Sequence, residues 1–177
     1  MDIIIRDLNE KDHKGLLSLI NNELGYPNVT YDELKHKIKQ MQDAGNYRIY
    51  VAVTNKTKVE KTKVEKAKTD KAKNDKTETD NNESENEITG FLSTVTETSL
   101  EITGDYIRII GLAVSEKHQG KGVGGLLLQH MEKEAAKKGV KYFVVNSALY
   151  RTDAHVFYEK AGYIKSSLSF YKGSKKG

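Results

Sequence analysis

The chain of 177 residues contains no cysteine, no tryptophan and a single proline. Without cysteine, neither a disulfide bond nor a thiolate-ligated metal site can form. The five histidines show no metal-ligand spacing, so we expect no bound metal. No stretch approaches the ~20 apolar residues of a membrane span, and the N-terminus lacks the basic and apolar regions of a signal peptide. We therefore expect a cytoplasmic protein with no membrane partner.

Much of the polar character of the chain lies in one segment. From residue 56 to residue 80 a five-residue pattern repeats, beginning with Lys-Thr-Lys-Val-Glu twice in succession. A period of five fits neither a helical face nor a strand. Between Lys56 and Glu87 nine lysines are interspersed with nine acidic residues, and this near neutrality disfavours nucleic-acid binding. We interpret residues 55–87, approximately, as a low-complexity insertion in a single domain of residues 1–174.

The rest of the sequence carries strand and helix patterns in turn. Apolar alternation predicts six strands, at residues 3–5, 47–53, 88–100, 106–114, 142–146 and 163–171. Helical spacing and capping signals predict four helices, between residues 9 and 25, from 30 to 45, over 122–138 and over 152–161. The order indicates an α+β fold with a mixed, mostly antiparallel sheet of about six strands flanked by helices.

A glycine-rich loop precedes the third predicted helix. It reads Gln-Gly-Lys-Gly-Val-Gly-Gly from Gln119 to Gly125. A helix N-terminus presents unpaired N–H groups, and glycines let the backbone curl around an anion without side-chain clashes. The loop therefore predicts a phosphate or pyrophosphate ligand. The alternative is a plain turn, for which four glycines within six residues would be conformationally costly.

Two other phosphate-binding motifs fit this loop less well. The glycines match the dinucleotide fingerprint, but residues 115–119 separate them from the strand, and Asn146 replaces the acidic residue expected after the next strand. A repeating series of strand-helix-strand units is also missing. A Walker loop needs a Lys-Ser or Lys-Thr pair after its glycines, which the chain lacks.

Three segments together resemble the GNAT-type N-acetyltransferases. Residues 119–124 are similar to that family's signature of Gln or Arg, two residues, Gly, one residue, then Gly or Ala. Residues 111–118 are similar to the family's fourth strand and its exit. Residues 154–163 are similar to its Phe-Tyr-x-x-x-Gly-Phe element, with Tyr163 in place of the commoner Phe. The resemblance covers the chain except the repeat, which it places between the second and third strands.

The resemblance implies an N-acyltransferase that moves an acetyl group from acetyl-CoA to a primary amine by direct attack on the thioester. The implied acceptor is a small-molecule or peptide amine, and a homodimer is left open. Many members deprotonate the amine with a Glu on the fourth strand, whereas residues 106–114 contain no acidic residue. The alternative function is therefore a non-catalytic acyl-CoA sensor.

The resemblance also implies which residues contact the coenzyme. They are Leu112, Val114, Gln119, Gly120, Lys121, Gly122, Gly124, Gly125 and Asn146. The N–H groups of the loop would hold the pyrophosphate, with Lys121 adding a positive charge. The main chain at Leu112 and Val114 would pair with the pantetheine arm as an added strand. Gly111 would lie at a bulge that bends this strand away from residues 142–146.

Tyr158 matches the general acid of the family. A phenol with a pKa near ~10 stays protonated at neutral pH and can protonate the departing thiolate. The plain alternative is a tyrosine of the core.

Besides the missing Glu on the fourth strand, one more position departs from the family. Arg151 stands where many members have an Asn that touches the coenzyme, and it can meet a phosphate or simply face solvent. The general base is not assigned. Asp153, His155, Glu23 and a water molecule are candidates because of their chemistry only. We expect Tyr26 to line the acceptor side.

Overall fold

The structure is a computed structural model, and it describes residues 2–54, 87–170 and 172–173. Among these residues are five strands: β1 Ile3–Asp7, β2 Tyr47–Thr54, β3 Glu87–Thr98, β4 Asp105–Val114 and β5 Phe143–Val145. The α-helices are α1 His13–Asn22, α2 Tyr31–Ala44, α3 Val123–Lys137 and α4 Thr152–Lys160. Short 3-10 turns at Glu10–Asp12 and Glu116–His118 precede α1 and α3. Apart from Glu87, the predicted insertion lies outside the described residues and stays a prediction.

Local signals fix the ends of α2. The Thr30 hydroxyl accepts from the N–H of Glu33 at 3.3 Å, and the Glu33 carboxylate accepts from the N–H of Thr30 at 2.9 Å. This reciprocal pair satisfies two N–H groups that the first helical turn leaves without partners. Gly45 ends the helix with a φ of +75°, a conformation that glycine adopts without a side-chain clash.

The five strands form one sheet in the order β1-β2-β3-β4-β5. The first three pairings are antiparallel, and β4 and β5 pair in parallel. A short connection can join an antiparallel pair, as it joins β3 to β4, whereas the parallel pair needs a crossover, which α3 supplies. The α+β fold predicted from the sequence is therefore confirmed.

Alternate residues of the strands bury opposite faces of the sheet. Tyr50 and Ala52 of β2 pack toward α3, and Val51 and Val53 pack toward α1 and α2. The core beneath α3 contains Leu92, Ile107, Ile109, Val123, Leu127, Leu128 and Met131. The core beneath α1 and α2 contains Leu16, Leu19, Leu34, Ile38, Phe91 and Ala113. A side-chain period of two explains why β2, β3 and β4 each contribute to both cores.

The sheet opens at the middle of β4. Ser93 pairs with Gly111 and Thr94 pairs with Ile109, so Ile110 has no opposite residue on β3. This extra residue is a β-bulge beside Gly111, and bulges bend the strand that carries them. The pairing of β4 with β5 reaches only as far as Ile109 opposite Val145. Beyond the bulge the two strands part, and the gap between them is the cleft described below.

The sixth strand predicted at residues 163–171 is wrong for the residues that can be described there. Residues 163–170 form no regular structure, and their apolar side chains Ile164 and Phe170 are 87% and 94% exposed. The apolar positions of this segment do not alternate strictly, and a lysine and serines interrupt them. The neighbouring β5 is only three residues long, so it offers few backbone groups for a further pairing.

The described helices are short. The longest, α3, has 15 residues, and in the part of the chain that is described no helix is long and apolar enough to cross a membrane. The same residues bring together no group of three or more His, Asp or Glu side chains that could hold a metal ion.

Candidate active site

A cleft of about 660 Å³ lies where β4 and β5 part. Its walls come from β4, the loop before α3, the end of β5 and the segment after it, α4, and the segment that follows α1. Nine of the site residues predicted from the sequence line it: Leu112, Val114, Gln119, Gly120, Gly122, Gly124, Gly125, Asn146 and Tyr158. The tenth, Lys121, does not line the cleft, because its Nζ donates to the carbonyl of Lys117 at 2.7 Å.

The glycine loop presents unpaired N–H groups to this cleft. Gly120 and Gly122 have φ values of +72° and +82°, and α3 begins immediately afterwards at Val123. Among the described residues, no acceptor lies in hydrogen-bonding geometry to the N–H groups of Gly120, Gly122, Gly124 or Gly125. A Cβ atom built on Gly120, Gly122 or Gly125 would meet nothing within 4 Å. The loop is thus an open cradle of donors at a positive helix end, which fits a phosphate group.

One edge of β4 faces the cleft without a strand partner. The N–H of Ser115 donates to Thr89 of β3 at 2.8 Å. Because main-chain groups alternate in direction along a strand, those of Val114 and Leu112 point to the opposite edge. There the Val114 carbonyl accepts from the side chain of Gln119 at 3.0 Å, and no ladder of β5 reaches this far. An extended ligand can pair with this edge as a strand would.

Tyr158 closes the cleft from α4. Its ring packs edge-on against Phe157 and Tyr163, with centroid distances of 5.2 and 5.6 Å. Burial raises the pKa of the Tyr158 phenol above its ordinary value, and the opposing effect of the Arg151 charge is smaller. The phenol is therefore protonated at neutral pH and chemically able to act as an acid.

A family model described as the acetyltransferase (GNAT) family matches residues 57–163, more than half of the chain. The chain belongs to the GNAT acetyltransferase family. The resemblance seen in the sequence is therefore confirmed. Within the family, the chain is 36% identical over 58 residues to an uncharacterized N-acetyltransferase, YjcF, of Bacillus subtilis (strain 168). That match covers 33% of this chain and 39% of the length of YjcF.

Solved structures share the whole GNAT fold at low identity. A glucosamine-6-phosphate N-acetyltransferase from Arabidopsis thaliana superimposes with a TM-score of 0.66 and 18% identity, covering 99% of this chain and 100% of that one. The aminoglycoside antibiotic 6'-N-acetyltransferase AAC(6')-Ih from Acinetobacter baumannii superimposes with a TM-score of 0.70 and 15% identity, again covering 99% of this chain and 100% of that one. At such identities the superpositions show the shared fold alone.

In this GNAT chain Glu23 binds the loop that precedes α3. One carboxylate oxygen accepts from the N–H of Glu116 at 3.0 Å, and the other accepts from Gln119 Nε2 at 3.4 Å. Both oxygens are thus engaged, which suits a residue that positions the loop better than a general base. No local pattern in the sequence indicates this contact, because 93 residues separate Glu23 from Glu116.

The other two candidate bases of this family member occupy different places. Asp153 lines the cleft and is exposed, and no hydrogen bond engages its carboxylate among the described residues. His155 does not line the cleft, and its Nε2 lies 3.0 Å from the carbonyl of Ala148. The structure thus brings Asp153, but not His155, to the predicted site. Tyr26 lines the cleft as expected and is 61% exposed.

Two cleft residues have side-chain contacts that the sequence did not indicate. Asn146 accepts from Arg108 at 3.1 Å and donates to the hydroxyl of Ser169, so its amide already has protein partners. His118 is buried in the cleft wall, and its Nδ1 lies 2.7 Å from the hydroxyl of Ser115. Both contacts fix the ends of strands that frame the cleft.

Proposed function

We propose that this protein is an N-acetyltransferase that moves an acetyl group from acetyl-CoA to the primary amine of an acceptor, by direct attack of the amine on the thioester. One observation carries the proposal. The unpaired N–H groups of the glycine loop, the free edge of β4 and the Tyr158 phenol line a single cleft. Membership of the GNAT family supports the same reaction class.

The glycine loop and β4 would hold the coenzyme. The N–H groups of Gly120, Gly122, Gly124 and Gly125 fit the pyrophosphate, because a helix end and several N–H groups favour an anion together. Lys121 would contribute charge at the outer side of the loop rather than inside the cleft. The main chain at Leu112 and Val114 would pair with the pantetheine arm. When bound, acetyl-CoA supplies the acetyl group as an activated thioester.

Tyr158 would act as the general acid. Attack by the amine forms the new C–N bond, and the C–S bond breaks with its electron pair on sulfur. The phenol then donates its proton to that sulfur, which departs as a thiol. The attacking nitrogen loses one proton to water, and that proton restores the phenol, so the protons balance. Burial keeps the phenol protonated by raising its pKa, so the acid form is ready at neutral pH.

The acceptor would be a small-molecule or peptide amine. The two related structures act, by their names, on glucosamine 6-phosphate and on aminoglycosides, so the shared fold accommodates both anionic and polycationic amines. The cleft here therefore has to be tested with acceptors of both kinds. A cytoplasmic location and a homodimer stay predictions.

Turnover tests the proposal directly. Purified protein is mixed with acetyl-CoA and glucosamine 6-phosphate, an aminoglycoside, an amino acid or a polyamine, and free thiol is measured. We expect thiol release with at least one amine, and Tyr158→Phe should slow it at least ~10-fold. Tyr142→Phe is the matched control, because Tyr142 is exposed, packs on Tyr106 and does not line the cleft. Equal rates for Tyr158→Phe and the wild type would remove Tyr158 from the mechanism.

A second function is a non-catalytic acyl-CoA sensor. The observation that favours it is the absence of any acidic residue from Tyr106 to Val114 on β4, together with the engagement of both Glu23 oxygens. Calorimetry separates the two functions. A sensor would bind acetyl-CoA in the micromolar range or tighter yet release no thiol with any amine of the panel.

A further inference from the structure

Arg151 lines the cleft at the N-terminal end of α4. Its Nη2 donates to the carbonyl of Leu24 at 3.1 Å, which holds the half-buried guanidinium against the end of α1. A guanidinium carries five N–H donors. The Leu24 carbonyl is the one hydrogen-bond acceptor that the described part of the chain gives it. The other donors are therefore available to a ligand in the cleft.

The charge of Arg151 has no counter-ion in the described protein. Glu23 and Asp153 line the same cleft, but neither they nor any other described carboxylate forms an ion pair with Arg151. Glu23 is instead bound to the loop before α3. A half-buried charge loses part of its hydration, and a ligand anion would compensate that loss.

Arg151 lies at the reacting end of the cleft rather than at the glycine loop. Leu24, whose carbonyl holds Arg151, lies beside the bulge of β4, because a Cβ atom on Gly111 would lie 3.7 Å from Cδ1 of Leu24. Arg151 and Tyr158 line the same cleft, and the charge of Arg151 opposes the rise that burial causes in the pKa of Tyr158. The glycine loop has its own N–H donors at the start of α3 for a diphosphate. An anion on Arg151 would thus sit near Tyr158, where the acceptor must be.

We propose that Arg151 is a specificity-determining residue that binds a carboxylate or phosphate group of the amine acceptor. The inference rests on the proposed N-acetyltransferase function and narrows its acceptor to amines that carry an anion. Charge-assisted hydrogen bonds from the guanidinium would orient such an acceptor, with its amine directed toward the thioester. A phosphate of the coenzyme offers the same chemistry, so the experiment has to distinguish the two sources.

The test uses acceptor pairs that differ only in the anion. The pairs are glycine with glycinamide and glucosamine 6-phosphate with glucosamine, each assayed for thiol release at varied acetyl-CoA. The variants are Arg151→Gln and Arg151→Lys. Arg48→Gln is the control, because Arg48 is an exposed arginine outside the cleft whose guanidinium donates to the Gly45 and Tyr47 carbonyls. Dephospho-acetyl-CoA replaces acetyl-CoA in a parallel series.

We expect the wild type to favour the anionic member of at least one pair by ~10-fold or more in kcat/KM. Arg151→Gln should abolish that preference, whereas kcat/KM for the neutral member and the KM for acetyl-CoA should stay within ~2-fold of the wild-type values. Arg151→Lys should keep part of the preference. Three results would overturn the proposal. The first is an unchanged preference for the anionic acceptor in Arg151→Gln, and the second is an equal loss of kcat/KM for the anionic and the neutral acceptor. The third is a rise in the KM for acetyl-CoA that is not seen when dephospho-acetyl-CoA is the donor.

Failure of the proposed function is recognised separately. If the wild type releases no thiol with any amine, the enzyme proposal fails, and calorimetry on protein loaded with CoA tests Arg151 alone. Tighter binding of glycine or glucosamine 6-phosphate than of the neutral partner, lost in Arg151→Gln, would support the anion site. Equal binding affinities for the anionic and the neutral member of both pairs would contradict the anion site.

Discussion

Gly124 and Phe157 pack directly against each other, so that a Cβ atom on Gly124 would lie 3.1 Å from Cζ of Phe157. Gly124 belongs to the glycine loop motif and Phe157 to the Phe-Tyr element, and the contact joins the two. It brings α3 close to α4 and sets the neighbouring Tyr158 against the same cleft as the loop. The absence of a side chain at position 124 is therefore a packing requirement of the contact between the two helices.

Replacing this glycine by a larger residue should loosen α4. We expect Gly124→Val to destabilise the fold by ~1–3 kcal/mol, because the added methyl groups overpack a contact that cannot accept even one Cβ without adjustment. Chemical denaturation measures the effect. Gly125→Ala is the control, since its Cβ meets nothing within 4 Å and alanine favours the helix by up to ~1 kcal/mol. Equal stability of the two variants would mean that the contact does not constrain the helices.

Glu23 should govern coenzyme binding rather than chemistry. In Glu23→Gln one carboxylate oxygen becomes an N–H₂ donor, which cannot accept from the N–H of Glu116 or from Gln119. We expect the KM for acetyl-CoA to rise ~3–10-fold with kcat within ~2-fold. Steady-state kinetics at saturating acceptor give both constants, with Glu101→Gln as a control on the exposed β3–β4 connection. A collapse of kcat at unchanged KM would instead make Glu23 the base.

Gly122 offers a test of the anion cradle with a matched control. Its φ is +82°, and Gly104 in the β3–β4 turn has a φ of +86°, so alanine at either site costs ~1–2 kcal/mol of backbone strain. A Cβ on either glycine meets no protein atom within 4 Å. We expect both variants to lose similar stability, but only Gly122→Ala to weaken CoA binding, by ~10-fold or more in calorimetry. Equal affinity for CoA in both variants would place the diphosphate elsewhere.

The pH dependence of turnover should reflect the phenol of Tyr158. Burial raises its pKa above the ordinary value near ~10, and a general acid is lost as pH rises through its pKa. Because the pKa is raised, the acid form persists throughout the neutral range. We therefore expect kcat to show no falling limb below about pH 10. A falling limb near pH 8 would assign the acid to another group.

The sequence predicted the features that depend on neighbouring residues. The capping box of Thr30 and Glu33 and the glycine loop before α3 are local in the chain, and each could be interpreted from spacing alone. The strand predicted at residues 163–171 is wrong over the described residues 163–170, because a strand needs a partner to pair with and β5 ends after three residues. Alternating apolar residues favour a strand locally, but a strand joins a sheet only where a neighbouring strand offers main-chain groups for hydrogen bonding.

Contacts between distant segments were beyond prediction. The bonds from Glu23 to Glu116 and Gln119 span 93 and 96 residues, and the bond from Arg151 to Leu24 spans 127. Each depends on how α1 ends against β4 and α4, which only the assembled fold decides. From the sequence, Glu23 could be proposed as a general base and Arg151 as a phosphate contact because of their chemistry alone. The groups that their side chains contact could not be predicted.

The proposed function depends on the binding of the coenzyme's diphosphate by main-chain N–H groups of the glycine loop. The most direct measurement is the ¹⁵N–¹H spectrum of the protein titrated with CoA and, separately, with pantetheine, which lacks the diphosphate. We expect the amide signals of Gly120, Gly122, Gly124 and Gly125 to shift with CoA and to stay in place with pantetheine. Amide signals that remain fixed while CoA saturates the protein would contradict the claim.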